Sequence, residues 1–144
     1  NPAFSPCFGA PFMPRPAGTY ANLLIKRVAD FGAQVYLVNS GWTGGSGAPG
    51  GTGERFPIPV TRAIVSACQS GALLNCKTIH LDNLNLDIPR EIPGVDSRYL
   101  NPRDTWEDKE SYDAETKKLA SLFADNITKF DIDAAIIEAG PKVT

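Results

Sequence analysis

The stretch from Gly41 to Arg62, GWTGGSGAPGGTGERFPIPVTR, constrains this chain more than any other. Seven of the 13 glycines lie between Gly41 and Gly53. An apolar run, Val35 to Val38, precedes the stretch and a helix-like pattern follows it. A strand, a glycine loop and a helix, in that order, is a layout on which many proteins hold a nucleotide. The loop does not spell a phosphate-binding signature, however. A Walker loop needs G-x-x-x-x-G-K-[ST], because its Lys reaches the β- and γ-phosphates and its hydroxyl binds magnesium. Here the nearest fit, Gly47 to Gly53, meets Glu54 instead. A carboxylate there repels a polyphosphate, so a nucleotide on this loop presents its base or ribose end. The alternative is a flexible connection with no ligand.

Around this stretch the pattern is that of a globular α/β protein. Residues 18 to 31 place Tyr20, Leu23, Leu24, Val28 and Phe31 on one helical face, and Gly32 is a stop. Ala33 to Asn39 reads as a strand whose unbroken apolar run, Val35 to Val38, expects burial on both faces. Such a strand needs layers on both sides, which sets the α/β class. Pro59 to Ser70 reads as a second helix, with Ile64, Val65 and Cys68 inward and Gly71 at its end. Leu81, Leu84, Leu86 and Ile88 roughly alternate with polar residues and predict one or two short strands. Six acids between Asp104 and Glu115 precede a helix from about Tyr112 to Lys129. They complement the helix dipole and lack the spacing of a calcium loop. Residues 131 to 138 predict a short last helix.

The first 16 residues carry five of the 12 prolines, Pro2, Pro6, Pro11, Pro14 and Pro16, which forbid a helix. Phe4, Phe8, Phe12 and Met13 are too apolar for a free tail. The segment is expected to lie extended on a core, or on a partner upstream of Asn1. The chain does not open on Met, which suggests processing or a longer parent.

With 144 residues, one domain is expected. A net charge of −2 favours neither nucleic acid nor an anionic membrane, and no apolar run approaches the ~20 residues of a membrane span. No basic segment followed by an apolar core marks a signal peptide. Three scattered cysteines, Cys7, Cys68 and Cys76, point to reduced thiols in the cytoplasm, with a Cys68–Cys76 bridge as the lesser alternative.

Candidate chemistry is sparse. Arg55, at the loop's exit, carries a planar guanidinium that can lie on an aromatic base, or it forms a surface ion pair. Thr61 can hydrogen-bond a base edge or cap the helix. Trp42 either stacks on a ligand or anchors the loop. His80 is the chain's one histidine, which leaves no His cluster for zinc and no Ser-His-Asp triad without it. Ser46 is not in a nucleophile elbow, and Cys7 has no local base. No residue is assigned to catalysis or to a metal.

Several motifs together resemble the C-terminal part of the ATP-dependent phosphoenolpyruvate carboxykinase family. They are Phe4-Ser5-Pro6-Cys7-Phe8-Gly9-Ala10-Pro11-Phe12, Tyr36-Leu37-Val38-Asn39-Ser40-Gly41-Trp42 and Thr61-Arg62-Ala63-Ile64. Downstream come Ile92-Pro93-Gly94-Val95-Asp96, Leu100-Asn101-Pro102-Arg103 and Ala139-Gly140-Pro141-Lys142. The resemblance implies that residues 1–144 are one region, the C-terminal portion of a mixed α/β nucleotide-binding domain, with a Gly-rich loop at 41–55. It implies a cytoplasmic parent enzyme of gluconeogenesis that converts oxaloacetate and ATP to phosphoenolpyruvate, carbon dioxide and ADP with Mg2+ and Mn2+. The family's phosphate loop, metal ligands and oxaloacetate-binding Arg match nothing in this chain. Its adenine-holding positions match Arg55, Phe56 and Thr61. Two departures fall beside them: Glu54 stands where Lys is common, and Phe56 where a smaller aliphatic is usual. The second reading is a stand-alone nucleotide-binding or interaction module without catalysis.

Overall fold

The computed structural model describes residues 4–5 and 8–143. Pro2, Pro6 and Cys7 lie outside the described residues.

Helix α1 spans Ala17–Phe31. It begins where Pro16 ends the proline-dense stretch, and Gly32 closes it in the left-handed region at φ 60°. Tyr20 and Val28 are half-buried, but Leu23, Leu24 and Phe31 of the same stripe are exposed. Residues 33–40 correct the expected buried strand. They pair with no strand among the described residues, and Leu37 is 81 % exposed. The apolar run needs neighbours on both sides, and the described residues supply a contact on one side only, where Tyr36 packs on the core.

The glycine segment is also not the simple strand–loop–helix that the order of residues suggests. Strands β1 (Trp42–Thr43) and β2 (Glu54–Arg55) pair antiparallel, Trp42 opposite Arg55 and Thr43 opposite Glu54. The Gly-rich loop is therefore the tip of a hairpin. Helix α2, Ile58–Ser70, follows at once, with Pro59 in its first turn and Gly71 left-handed at its end. Its inner face is Ile64, Ala67 and Cys68. Val65 turns outward, because a helix brings i, i+3 and i+4 to one side.

Strands β3 (Thr78–Leu81) and β4 (Leu86–Pro89) form a second antiparallel hairpin, with Leu81 opposite Leu86. Its turn is strapped to the C-terminal segment. The Asn85 amide donates to the Ala139 carbonyl (2.9 Å) and the Lys142 N–H to the Asn83 carbonyl (3.0 Å). Helix α3 is short, Pro102–Thr105, and α4 runs Lys109–Ile127. Helix α4 starts three residues before the expected Tyr112, because Asp108 caps it: its carboxylate accepts from the Glu110 N–H (3.0 Å) and the Ser111 hydroxyl (2.5 Å). Helix α5, Ala134–Glu138, closes the fold. The mixture of helix and strand fits the α/β class.

The core is thin. Ala67, Leu73 and Ile92 form a buried cluster ringed by Tyr36, Ile64, Cys68, Cys76, Val95 and Leu100. Cys68 and Cys76 are free thiols. At the N-terminus, Phe4 packs edge-on against Phe123 (5.2 Å between centroids), but Phe8 and Phe12 are exposed rather than laid on a core. The accessible surface is 10627 Å² for 15.5 kDa, against roughly 7,200 Å² for a compact monomer of that mass. Among the described residues, no helix is long and apolar enough to cross a membrane.

Candidate functional site

A recess of about 170 Å³ opens at the junction of the β1–β2 hairpin with α2. Ser40, Gly41, Arg55, Phe56, Thr61 and Arg62 line it. The chain reaches this arrangement in few steps. Pairing of Trp42 with Arg55 brings the loop's exit beside its entrance. The Phe56 N–H donates to the Gly41 carbonyl (2.8 Å) and extends that contact by one residue. Pro57 then caps α2 and Pro59 sets its first turn, which presents Thr61 to the same side.

Each expected site residue has a definite place. Arg55 is exposed and forms no ion pair among the described residues; its guanidinium lies over the Trp42 ring, 6.0 Å from the centroid. Thr61 does not cap α2, whose N-cap Pro57 has no side-chain bond. Its hydroxyl donates backward to the Pro57 carbonyl at 3.5 Å, a long bond that leaves the oxygen as an acceptor. Phe56 presents a half-buried ring that meets Tyr99 edge-on at 5.4 Å. Its N–H is engaged with Gly41, so its side chain is an apolar wall.

Several of the loop's hydrogen bonds work against a phosphate cradle. A cradle needs several free, convergent N–H groups. Here the Gly44 N–H is held by the Thr105 hydroxyl (3.1 Å) and the Ala48 N–H by the Ser46 hydroxyl (3.1 Å). The Gly51 and Gly53 N–H groups donate to the carbonyls of Ala48 and Ser46. The first turn of α2 is also short of donors, since Pro57 and Pro59 have no N–H. Glu54 points away from the recess, as alternation along a strand requires. It lines a separate depression of about 350 Å³ with Asp104, Glu107 and Arg98.

Two of the loop's glycines set its contacts with Trp42 and Thr105. A Cβ on Gly47 would collide with the Trp42 indole, so only glycine lets the loop lie on that ring. Gly44 sits at φ 76°, and a Cβ there would come 2.9 Å from the Thr105 carbonyl oxygen.

Sequence reasoning missed Thr105 and Tyr99. Thr105 is the node that ties the loop to α3: its hydroxyl donates to the Pro102 carbonyl (2.7 Å) and accepts from Gly44 and from the Thr43 hydroxyl (2.9 Å). Helix α3 is fixed in turn. The Arg103 guanidinium grips the Asp113 carboxylate through two bonds of 2.9 Å, and the Lys109 ammonium donates to the carbonyls of Arg103, Asp104 and Trp106. The Arg103 hydrogen bond holds the Asp113 carboxyl below its ordinary value, and Asp113 raises Arg103. The Ser111 hydroxyl, then the Glu110 and Ser111 N–H groups, lower Asp108 likewise. No local motif marks Thr105, because its partners lie about 60 residues away.

His80 pairs with Asp87 across the second hairpin (3.1 Å), far in sequence from the recess. Among the described residues, no group of three or more His, Cys, Asp or Glu could hold a metal ion.

The sequence model of the family described as phosphoenolpyruvate carboxykinase matches residues 1–98. Phosphoenolpyruvate carboxykinase (ATP) 2 of Moorella thermoacetica is 51 % identical over 141 residues, covering 97 % of this chain and 26 % of its own length. Phosphoenolpyruvate carboxykinase (ATP) of Thermus thermophilus is 48 % identical over 141 residues, covering 96 % of the chain and 26 % of its own length. The enzyme of the same name from Brucella suis is 45 % identical over 142 residues, with 97 % and 26 % covered. The chain thus spans about a quarter of the length of these relatives. By the family match and by identity along nearly its whole length, the chain belongs to the phosphoenolpyruvate carboxykinase family.

Proposed function

We propose that this chain is the C-terminal part of the nucleotide-binding domain of an ATP-dependent phosphoenolpyruvate carboxykinase and supplies the adenine side of its ATP site. The parent enzyme converts oxaloacetate and ATP to phosphoenolpyruvate, carbon dioxide and ADP, in the cytoplasm and in the service of gluconeogenesis. Residues 1–144 act as one region, with the Gly-rich loop at 41–55. The observation that carries this reading is the convergence of Arg55, Phe56 and Thr61 on one recess, beside a loop in which the N–H groups of Gly44, Ala48, Gly51 and Gly53 are engaged. The base end of a nucleotide suits such a site and the phosphate end does not.

Each residue has a physical role there. The Arg55 guanidinium offers a planar, weakly hydrated cation to the π face of a purine. The Phe56 ring, braced by Tyr99, excludes water from one wall. Thr61, whose proton is directed to the Pro57 carbonyl, offers an acceptor. An acceptor suits the 6-amino group of adenine and not the 6-oxo group of guanine. Phosphoryl transfer further needs positioned phosphate and metal ligands, with Mg2+ and Mn2+ as the metals. Those belong to the remainder of the parent chain, and the isolated 144 residues are inactive.

The large apolar exposure supports a piece of a larger body over a stand-alone module. Phe8, Phe31 and Leu37 are exposed, and the surface exceeds that of a compact chain. The test is Arg55→Ala in the full-length parent. Losing one stacked guanidinium raises KM for ATP roughly five- to thirty-fold and leaves KM for oxaloacetate alone. An unchanged KM for ATP contradicts the assignment.

A further inference from the structure

Trp42 is neither a stacking surface for the ligand nor only an anchor of its loop. We infer that it is the positioning residue for Arg55, the shelf that presents the guanidinium to the base; this rests on the adenine-side reading above. Three observations carry it. Trp42 and Arg55 are directly opposite in the β1–β2 ladder, so their side chains leave the hairpin on the same face. The Arg55 guanidinium lies over the indole at 6.0 Å and has no carboxylate partner among the described residues, so the ring is what orients it. The two residues also border different hollows. Arg55 lines the small recess with Thr61, whereas Trp42 lines an apolar groove of about 470 Å³ with Leu37, Ile88 and Tyr99. Arg55 thus stands between the indole and the recess, and the recess does not include Trp42.

Gly47 extends the arrangement. Its missing side chain lets the loop backbone lie against the indole, which restricts the ring. A restricted ring holds a restricted guanidinium. An exposed arginine otherwise loses rotamer freedom when it stacks on a ligand, at a cost to affinity. The shelf removes part of that cost before the nucleotide arrives. The layered order is indole, guanidinium, base.

The test is a double-mutant cycle in the full-length enzyme, read by initial rates at varied ATP and varied oxaloacetate. Trp42→Leu keeps apolar bulk and removes the π face. It raises KM for ATP roughly two- to five-fold, more than any change in KM for oxaloacetate. Trp42→Phe, which keeps a ring face, recovers most of the loss. In an Arg55→Leu background, Trp42→Leu has no further effect on KM for ATP. Equal effects in both backgrounds, or Trp42→Phe as weak as Trp42→Leu, overturn the shelf while leaving Arg55 as the base contact. An Arg55→Leu variant with unchanged KM for ATP overturns the reading beneath it. Thermal melts of each variant separate misfolding from these outcomes, because an unfolded fraction lowers the maximal rate and leaves the Michaelis constants of the folded remainder unchanged.

Discussion

Thr105→Val is the sharpest perturbation of the loop's anchorage, since it keeps the side chain's shape and deletes one hydroxyl. That hydroxyl donates to the Pro102 carbonyl and accepts from the Gly44 N–H and the Thr43 hydroxyl. The Thr43 hydroxyl can swing toward water. The Gly44 N–H cannot easily do so, because its backbone is packed against the Thr105 carbonyl, the oxygen a Gly44 Cβ would meet at 2.9 Å. Leaving a buried donor unsatisfied costs about 1–3 kcal/mol. The site is only half-buried, so the lower part of that range applies, about 1–2 kcal/mol. Hydrogen exchange of the full-length enzyme, followed by mass spectrometry, reads this directly. Peptides covering residues 43–53 exchange roughly five- to thirty-fold faster in Thr105→Val. The β3–β4 hairpin shares none of these bonds and does not change. Thr105→Ser restores wild-type protection. If Thr105→Val leaves exchange at 43–53 unaltered, the loop is held by its own internal bonds and the link to α3 is incidental.

Gly47→Ala places a methyl group on the Trp42 indole and destabilises by about 1–3 kcal/mol; a lowered melting temperature with a red-shifted tryptophan emission reports it, and unchanged emission refutes the contact. Asp108 and Asp113 have lowered folded-state values, so their contribution is present above the ordinary carboxylate value of 3.8 and is lost as pH falls below it through the folded values. Acid therefore loosens the start of α4 and its hold on α3, seen as faster exchange at 103–113 in Asp113→Asn already at neutral pH. The isolated 144-residue chain, with its 10627 Å² of surface, binds an apolar dye, self-associates in sedimentation and forms no phosphoenolpyruvate. A dye-negative monomer, or measurable product, refutes the view that the chain is incomplete by itself.

Local structure was readable where a single residue decides it. Gly32 ends α1, Pro59 and Gly71 bracket α2, and the alternation of Leu81, Leu84, Leu86 and Ile88 predicts short strands where the second hairpin lies, though not their pairing. What failed was burial. Residues 35–38 have the composition of a strand covered on both faces, yet composition states a need and not its satisfaction; the partners are absent from the described residues. Helix α4 starts earlier than its apolar stripe suggests because Asp108, one of six acids in that run, is its cap. Within the site, Arg55 and Thr61 were accessible from a resemblance and from their chemistry. The Trp42–Arg55 pairing and the Thr105 node were not, since both depend on a hairpin register and on a contact across about 60 residues.

The assignment of the adenine side to this chain is tested most directly by photolabelling the full-length enzyme with 8-azido-ATP, which reacts from the base, and mapping the label after trypsin. Cleavage after Arg27, Arg55 and Arg62 releases Val28–Arg55 and Phe56–Arg62 as separate peptides. The account predicts label on these two peptides, abolished by excess ATP. Label confined to other parts of the enzyme, with both peptides clean, contradicts it.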